Sequence, residues 1–239
     1  MKILGVDEAG RGAVLGPLVI CGFLIDKRDE EKLRELGVKD SKLLTPQKRG
    51  ELAPQLEKIA SHIVIIRIPA RIIDANRRKG INLNQIEALK MAEIINLLEP
   101  DKAYIDSPGY NSNKFRDYLF SKLENKKIKL ICENFADKKY PVVSAASIIA
   151  KVERDRLIEE LKKKVCYDFG VGYSHDKRCI EFLKKLAKEN KGKMPSYVRT
   201  TWDTVKQIIE EYKQPKILSF LKKIVKKKNY FLNQPSSFI

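Results

Sequence analysis

The run P-V-V-S-A-A-S-I-I-A, residues 141–150, constrains this chain more than any other stretch. Proline suits the first position of a helix, and the residues after it are apolar nearly all round. A helix without a polar face has to be covered by other elements. From Lys151 to Lys164 the pattern turns charged. A single long helix over Pro141–Lys164 is therefore expected, buried in its first half and solvated in its second.

The elements available to cover it are short. Apolar runs at Met1–Asp7, Val14–Ile25, Ser61–Ile68, Lys102–Asp106 and Lys129–Cys132 read as five strands. The first two are close enough to pair as a hairpin, and Pro17 near the start of the second favours an edge or a bulge. Thr45-Pro46 reads as an N-cap and first helical residue, opening a helix to about Lys58. Asn84–Leu98 and Asn111–Leu123 also carry helical spacing. The late β-α-β-α order joined to an antiparallel start predicts an α/β fold with a mixed sheet flanked by helices.

After about Lys164 the strand signals stop, and two units are expected: a body at 1–164 and a basic, mainly helical extension at 165–239. Within the extension, Lys216–Lys228 places Ile217, Leu218, Leu221, Ile224 and Val225 on one helical face and four lysines on the other. The chain of 239 residues carries 48 Lys+Arg against 31 Asp+Glu, a net charge of +17. Residues 161–239 hold 19 basic and 7 acidic side chains, so most of the surplus lies in the last third. That excess points to a polyanionic partner, most often nucleic acid, bound mainly through the extension.

No apolar run approaches the roughly 18 residues needed to cross a bilayer. The first strand begins at once, leaving no room for a signal peptide, so a cytoplasmic protein is expected. The cysteines at 21, 132, 166 and 179 form no C-x-x-C pair and only two histidines exist, which argues against zinc and against a disulfide framework.

The chemistry is expected among the acids. Residues 3–12 read I-L-G-V-D-E-A-G-R-G, an apolar run ending in Asp7 and Glu8 and followed by Gly10, Arg11 and Gly12. Side chains alternate across a strand, so Asp7 and Glu8 can converge on one site only if the strand ends there. The glycines let the backbone turn and approach a bulky group closely. Asp106 closes the fourth strand, and Asp137 follows the fifth. Ligand sites in open α/β sheets collect at strand ends. Clustered carboxylates repel unless a cation neutralises them, and oxygen donors alone suit Mg²⁺ or Mn²⁺. A basic protein with a carboxylate-bound metal pair is suited to phosphodiester cleavage, the metals stabilising the attacking and leaving oxygens.

Five motifs in order carry a family resemblance: D-E-A-G-R-G, K-D-S-K-L-L-T at 39–45, I-D-S-P-G at 105–109, A-D-K-K-Y-P-V-V-S-A-A-S-I-I-A-K-V at 136–152 and G-Y-S-H-D at 172–176. Together they resemble ribonuclease HII, the type 2 ribonuclease H, in its archaeal form. The resemblance implies a ribonuclease H-like fold with a five-stranded mixed sheet and a helical C-terminal extension. It implies an endonuclease that hydrolyses the RNA strand of RNA–DNA hybrids and cuts 5′ of ribonucleotides embedded in DNA, leaving 5′-phosphate and 3′-hydroxyl ends. A monomer is expected, and the alternatives are a non-enzymatic nucleic-acid-binding protein or the related ribonuclease HIII. By motif position Asp7, Glu8, Asp106 and Asp137 would be the metal-binding acids. Gly10, Arg11 and Gly12 would read the ribose 2′-hydroxyl, and Tyr173 would stack at the RNA–DNA junction.

Lys39, Ser41 and Lys42 are expected on phosphates, the alternative being a surface Lys39 and a Ser41 that caps a turn; Lys151 is expected to face the groove. Arg199 is expected as a phosphate clamp or a structural ion-pair partner. His175 is expected to be structural or to stand at the rim of the site. The tail Q-P-S-S-F-I resembles a motif that binds the replication sliding clamp, but puts serine where that motif wants an aliphatic residue, which counts against clamp binding.

Overall fold

A computed structural model of the chain describes residues 1–38, 44–109 and 111–213. Chain order is β1 (Lys2–Ala9), β2 (Leu18–Asp26), α1 (Glu30–Glu35), α2 (Pro46–Ile59), β3 (His62–Ile68), α3 (Ala70–Arg78), α4 (Leu83–Leu98), β4 (Lys102–Asp106), α5 (Ser112–Ser121), β5 (Lys129–Glu133), α6 (Ala136–Lys139), α7 (Pro141–Val165) and α8 (Lys177–Glu189). Residues 203–213 are also helical. The sheet runs β3-β2-β1-β4-β5. β1 pairs antiparallel with β2 and β2 with β3, whereas β1, β4 and β5 are parallel.

Each face of the sheet carries its own core. Leu4 and Val6 of β1 pack with Ile86, Met91 and Ile94 of α4 and with Phe115 and Leu119 of α5. Ile3 and Ala9, one residue out of phase, pack with Leu52 and Leu56 of α2 and with Val142, Ala146 and Ile149 of α7. Burying each large aliphatic side chain contributes about 1.5–3 kcal/mol, and covering both faces explains why β1 and β2 read as continuous apolar runs. Every residue from Pro141 to Ala150 is buried, as the missing polar face of α7 requires.

Local chemistry sets several boundaries. The Thr45 side chain accepts from the Lys48 N–H, with Pro46 at the first helical position of α2. Asn82 and Gln85 form a reciprocal capping box that starts α4. Three features differ from the sequence reading. β1 continues through Glu8 to Ala9. β2 begins only at Leu18, because Ala13 and Leu15 instead bridge to Tyr173 and Val198. β2 is also internal rather than an edge strand; Pro17 just precedes it, where its missing N–H costs no ladder bond.

A third cluster joins Val14, Leu15 and Ile158 to Phe169, Phe182, Leu183 and Val198. Residues 166–213 are thereby packed directly on the loop after β1. The expected helix at Lys216–Lys228 and the tail from Gln234 lie outside the described residues, as do Lys39, Ser41 and Lys42.

Candidate active site

The parallel arrangement of β1, β4 and β5 brings their C-terminal ends to one edge of the sheet. Asp7 lies one position past the Val6–Ile105 pair, and Asp106 ends β4 beside it. Asp137 sits in the single turn of α6, after Phe135 takes a left-handed backbone (φ 58°) that reverses the chain out of β5. The Ala136 N–H at that turn donates to Asp106 Oδ1 at 3.0 Å. One carboxylate oxygen from each of Asp7, Asp106 and Asp137 lies within 4.8 Å of the others. Asp7 and Asp137 are buried, at 5% and 1% exposure.

Glu8 follows the alternation of the strand. Asp7 faces α7, where Ser147 donates to it and Lys151 offers positive charge. Glu8 faces α4, so it stands apart from the three-aspartate group, and its Oε2 has no hydrogen-bond partner among the described residues. The expectation that the strand stops at Asp7 is therefore corrected: it continues, and the neighbouring acids diverge. Glu8 still borders two clefts of about 730 and 670 Å³ that flank the site and share only Glu8 and Arg11.

Electrostatics follow from this crowding. Burial, then the Asp106 charge, pushes the Asp7 pKa up to about 7. Burial and the charges of Glu87, Asp7 and Asp106 hold Glu8 well above the usual carboxylate range. Burial likewise raises Glu87 to about 7, against the pull of Arg11. Separate acids, each ordinary in sequence, have become a compact site in which burial and mutual repulsion outweigh the positive charge that Lys151 and Arg11 offer.

The turn beside the acids is held from several sides. Gly10 has φ 88°, and a methyl group there would collide with the Arg154 side chain. Arg11 Nε lies 3.1 Å from both Glu87 oxygens, and its Nη2 donates to Asn84. Gly12 is exposed, with Tyr173 beside it. The Arg154 guanidinium lies over the Tyr173 ring at 4.7 Å, and His175 stacks on that ring at 5.5 Å. Gly10, Arg11, Gly12, Lys151, Tyr173 and His175 all line the 730 Å³ cleft.

Arg199 is elsewhere. It is wholly buried and donates to main-chain carbonyls, so it has no surface to offer a phosphate; the phosphate-clamp expectation is corrected. Burial, then the neighbouring Arg154 charge, lowers its pKa to about 9, leaving it charged at neutral pH.

Sequence reasoning missed Glu87, Asn84 and Arg154. Glu87 interrupts the apolar face of α4, and a lone acid at a core position was the available signal. Arg154 falls in the charged half of α7, where nothing local separates a buried arginine from a solvated one.

The ribonuclease HII family model matches residues 4–205. Ribonuclease HII of Methanosarcina mazei is 44% identical over 220 residues, spanning 90% of this chain and 100% of that protein. The crystal structure of ribonuclease H2 from Pyrococcus horikoshii superposes with a TM-score of 0.81 at 42% identity, covering 89% of this chain and 99% of the other. Ribonuclease HII in the complex with PCNA from Archaeoglobus fulgidus gives 0.76 at 41% identity, covering 85% and 96%. A match that runs from the first strand, through all three clustered aspartates, to the helix beyond Arg199 leaves no part of the site outside it: the chain belongs to the ribonuclease HII family and is a divalent-metal-dependent endoribonuclease.

Proposed function

We propose that this enzyme hydrolyses the RNA strand of RNA–DNA hybrids and also cleaves 5′ of single ribonucleotides embedded in duplex DNA, leaving 5′-phosphate and 3′-hydroxyl ends. One observation carries the reading: Asp7, Asp106 and Asp137 converge within 4.8 Å beside a glycine-flanked arginine turn. Hard oxygen donors, two of them buried, fit divalent cations, because such a cluster is costly to ionise without them. Asp7, Asp106 and Asp137 would hold two Mg²⁺ or Mn²⁺ ions, with Glu8 completing the set from the rim. Bound there, the ions supply charge stabilisation for the attacking and leaving oxygens of an in-line displacement.

The protein's own groups select and place the strand. The sugar distinguishes RNA from DNA, and only a backbone with little side-chain bulk can come close to it. Gly10 and Gly12 give that access, while Glu87 and Asn84 hold the Arg11 guanidinium in place. Tyr173, backed by Arg154, offers a ring for the sugar or base at the junction. Lys151, close to Asp7, would approach the scissile phosphate, and Lys39, Ser41 and Lys42 would hold flanking phosphates. Residues 1–164 would form the catalytic body and 165–239 the basic extension that adds affinity. The enzyme would act as a cytoplasmic monomer. Clamp binding, which the Archaeoglobus relative shows, is a weaker proposal, because Q-P-S-S-F-I departs from the clamp motif.

A labelled duplex holding one ribonucleotide, incubated with and without Mg²⁺, tests the reading. Cleavage on the 5′ side of that residue, lost in EDTA, is expected. Binding without cleavage under any divalent metal would overturn it.

A further inference from the structure

We propose that Arg199 is a positioning residue for sugar discrimination, acting as a buried strut that aims the Gly12 N–H into the substrate cleft. This rests on the reading of Gly10-Arg11-Gly12 as the turn that reads the ribose.

Arg199 has 0% exposure and comes from a segment 188 residues away from the turn it touches. Its Nη1 donates to the Arg11 carbonyl at 2.9 Å and its Nε to the Gly16 carbonyl at 3.2 Å. One rigid, planar cation therefore ties both ends of the segment that follows Gly10. Burying a guanidinium is costly, and here its hydrogen bonds go to main-chain carbonyls, while Glu87 and Asp74 act on it only as more distant charges. A hydrophobic side chain would fill the same space at less cost, so packing alone does not explain an arginine there.

The consequence lies in the peptide unit. The Arg11 carbonyl and the Gly12 N–H belong to one planar trans group and point in opposite directions. Holding the carbonyl down on Arg199 fixes the N–H on the other side. Gly12 is exposed and lines the 730 Å³ cleft, and its N–H donates to no group among the described residues. That leaves a donor, aimed from a rigid base, for a sugar hydroxyl. A positive charge on the carbonyl also polarises the peptide and strengthens the donor.

The strut is itself anchored. The Arg199 N–H donates to the Val14 carbonyl at 2.9 Å. The next two residues are gripped by Asp74 of α3, only 3% exposed. Its Oδ2 accepts from the Thr200 N–H and hydroxyl at 2.7 and 2.6 Å, and its Oδ1 from those of Thr201 at 3.2 and 2.7 Å. An acid on α3 thus holds the residues that place a strut under the turn after β1.

The test uses the full-length enzyme with Mg²⁺ and a duplex carrying one ribonucleotide. Arg199→Lys keeps the charge but cannot span both carbonyls. Its kcat should fall about tenfold or more with KM within about twofold, because a donor displaced by an ångström weakens transition-state stabilisation more than binding. The Gly12 amide resonance should move in the metal-free protein. Asp74→Asn should give a smaller loss in the same direction. A folded Arg199→Lys enzyme with wild-type kcat and an unmoved Gly12 resonance would overturn the strut. Should that variant fail to fold, Asp74→Asn decides, and an unchanged kcat there overturns it equally. Gly12→Pro, which removes the N–H, separates the two levels. Full preference for the ribonucleotide duplex over all-DNA in Gly12→Pro sinks the sugar-reading turn itself. Loss of preference there, with none in Arg199→Lys, sinks only the strut.

Discussion

Gly5 of β1 and Val142 at the start of α7 touch backbone to backbone. A methyl group on Gly5 would lie 2.6 Å from the Val143 nitrogen and nearer still to the Val142 carbonyl. Gly5 shares a strand face with Asp7, and α7 directly follows the turn bearing Asp137. This close approach therefore sets how near two of the three clustered aspartates come to each other. Gly5→Ala should force the elements apart, costing about 1–3 kcal/mol of stability. Activity should fall further than thermal unfolding alone accounts for. Wild-type turnover in a Gly5→Ala protein would separate this packing from the site.

Asp106→Asn should abolish turnover while leaving substrate binding nearly intact. The amide oxygen can still accept from the Ala136 N–H, so the turn survives, but a negative ligand is gone. Single-turnover cleavage and a binding titration on the same duplex separate the effects. Equal cleavage would remove Asp106 from the metal site.

The raised Asp7 pKa has a pH signature. Unfolded, Asp7 ionises near its ordinary 3.8; folded, it keeps its proton until about 7. Between those values the folded state binds more protons, so metal-free stability from this group is lost as pH rises from about 4 to about 7. A divalent cation binds the ionised form and should reverse the loss. Melting in EDTA should show Tm falling through this window, with added Mg²⁺ raising Tm more at about pH 8 than at about pH 5. Asp7→Asn should flatten the metal-free slope; an unaltered slope would place the titration on other groups.

Arg11→Ala and Tyr173→Ala should lower discrimination between hybrid and DNA more than they lower stability. Arg11 is partly exposed, and Tyr173 stands at the cleft wall against Arg154. Cleavage rates on matched ribo and deoxy duplexes, set beside melting curves, provide the check. Retained discrimination in both variants would remove their side chains from substrate reading.

Truncation after Gln214 removes six lysines. Binding should weaken and its dependence on salt should flatten, since a protein that neutralises fewer phosphates releases fewer counterions. An unchanged slope of log K against log salt would mean those lysines do not meet the nucleic acid.

What the sequence determined alone was local. The proline-led, all-apolar start of α7 required burial, the Thr45-Pro46 pair started α2, and the β-branched run at 62–68 formed β3, because cap chemistry and periodicity act between near neighbours. The acids could be named for the same reason: Asp106 ends β4, Asp137 follows β5, and Asp7 and Glu8 close the apolar run of β1, although the strand itself continues to Ala9. α3 escaped notice, being short and without a side-chain cap. Only tertiary structure decided which acids meet. Parallel pairing of β1, β4 and β5 gathers Asp7, Asp106 and Asp137, while the pleat of β1 sends adjacent Glu8 toward α4. The same holds for Glu87, Arg154 and Arg199. A charge in a helix or loop reads as solvated until the chain folds over it, and its energy is then set by partners far along the chain.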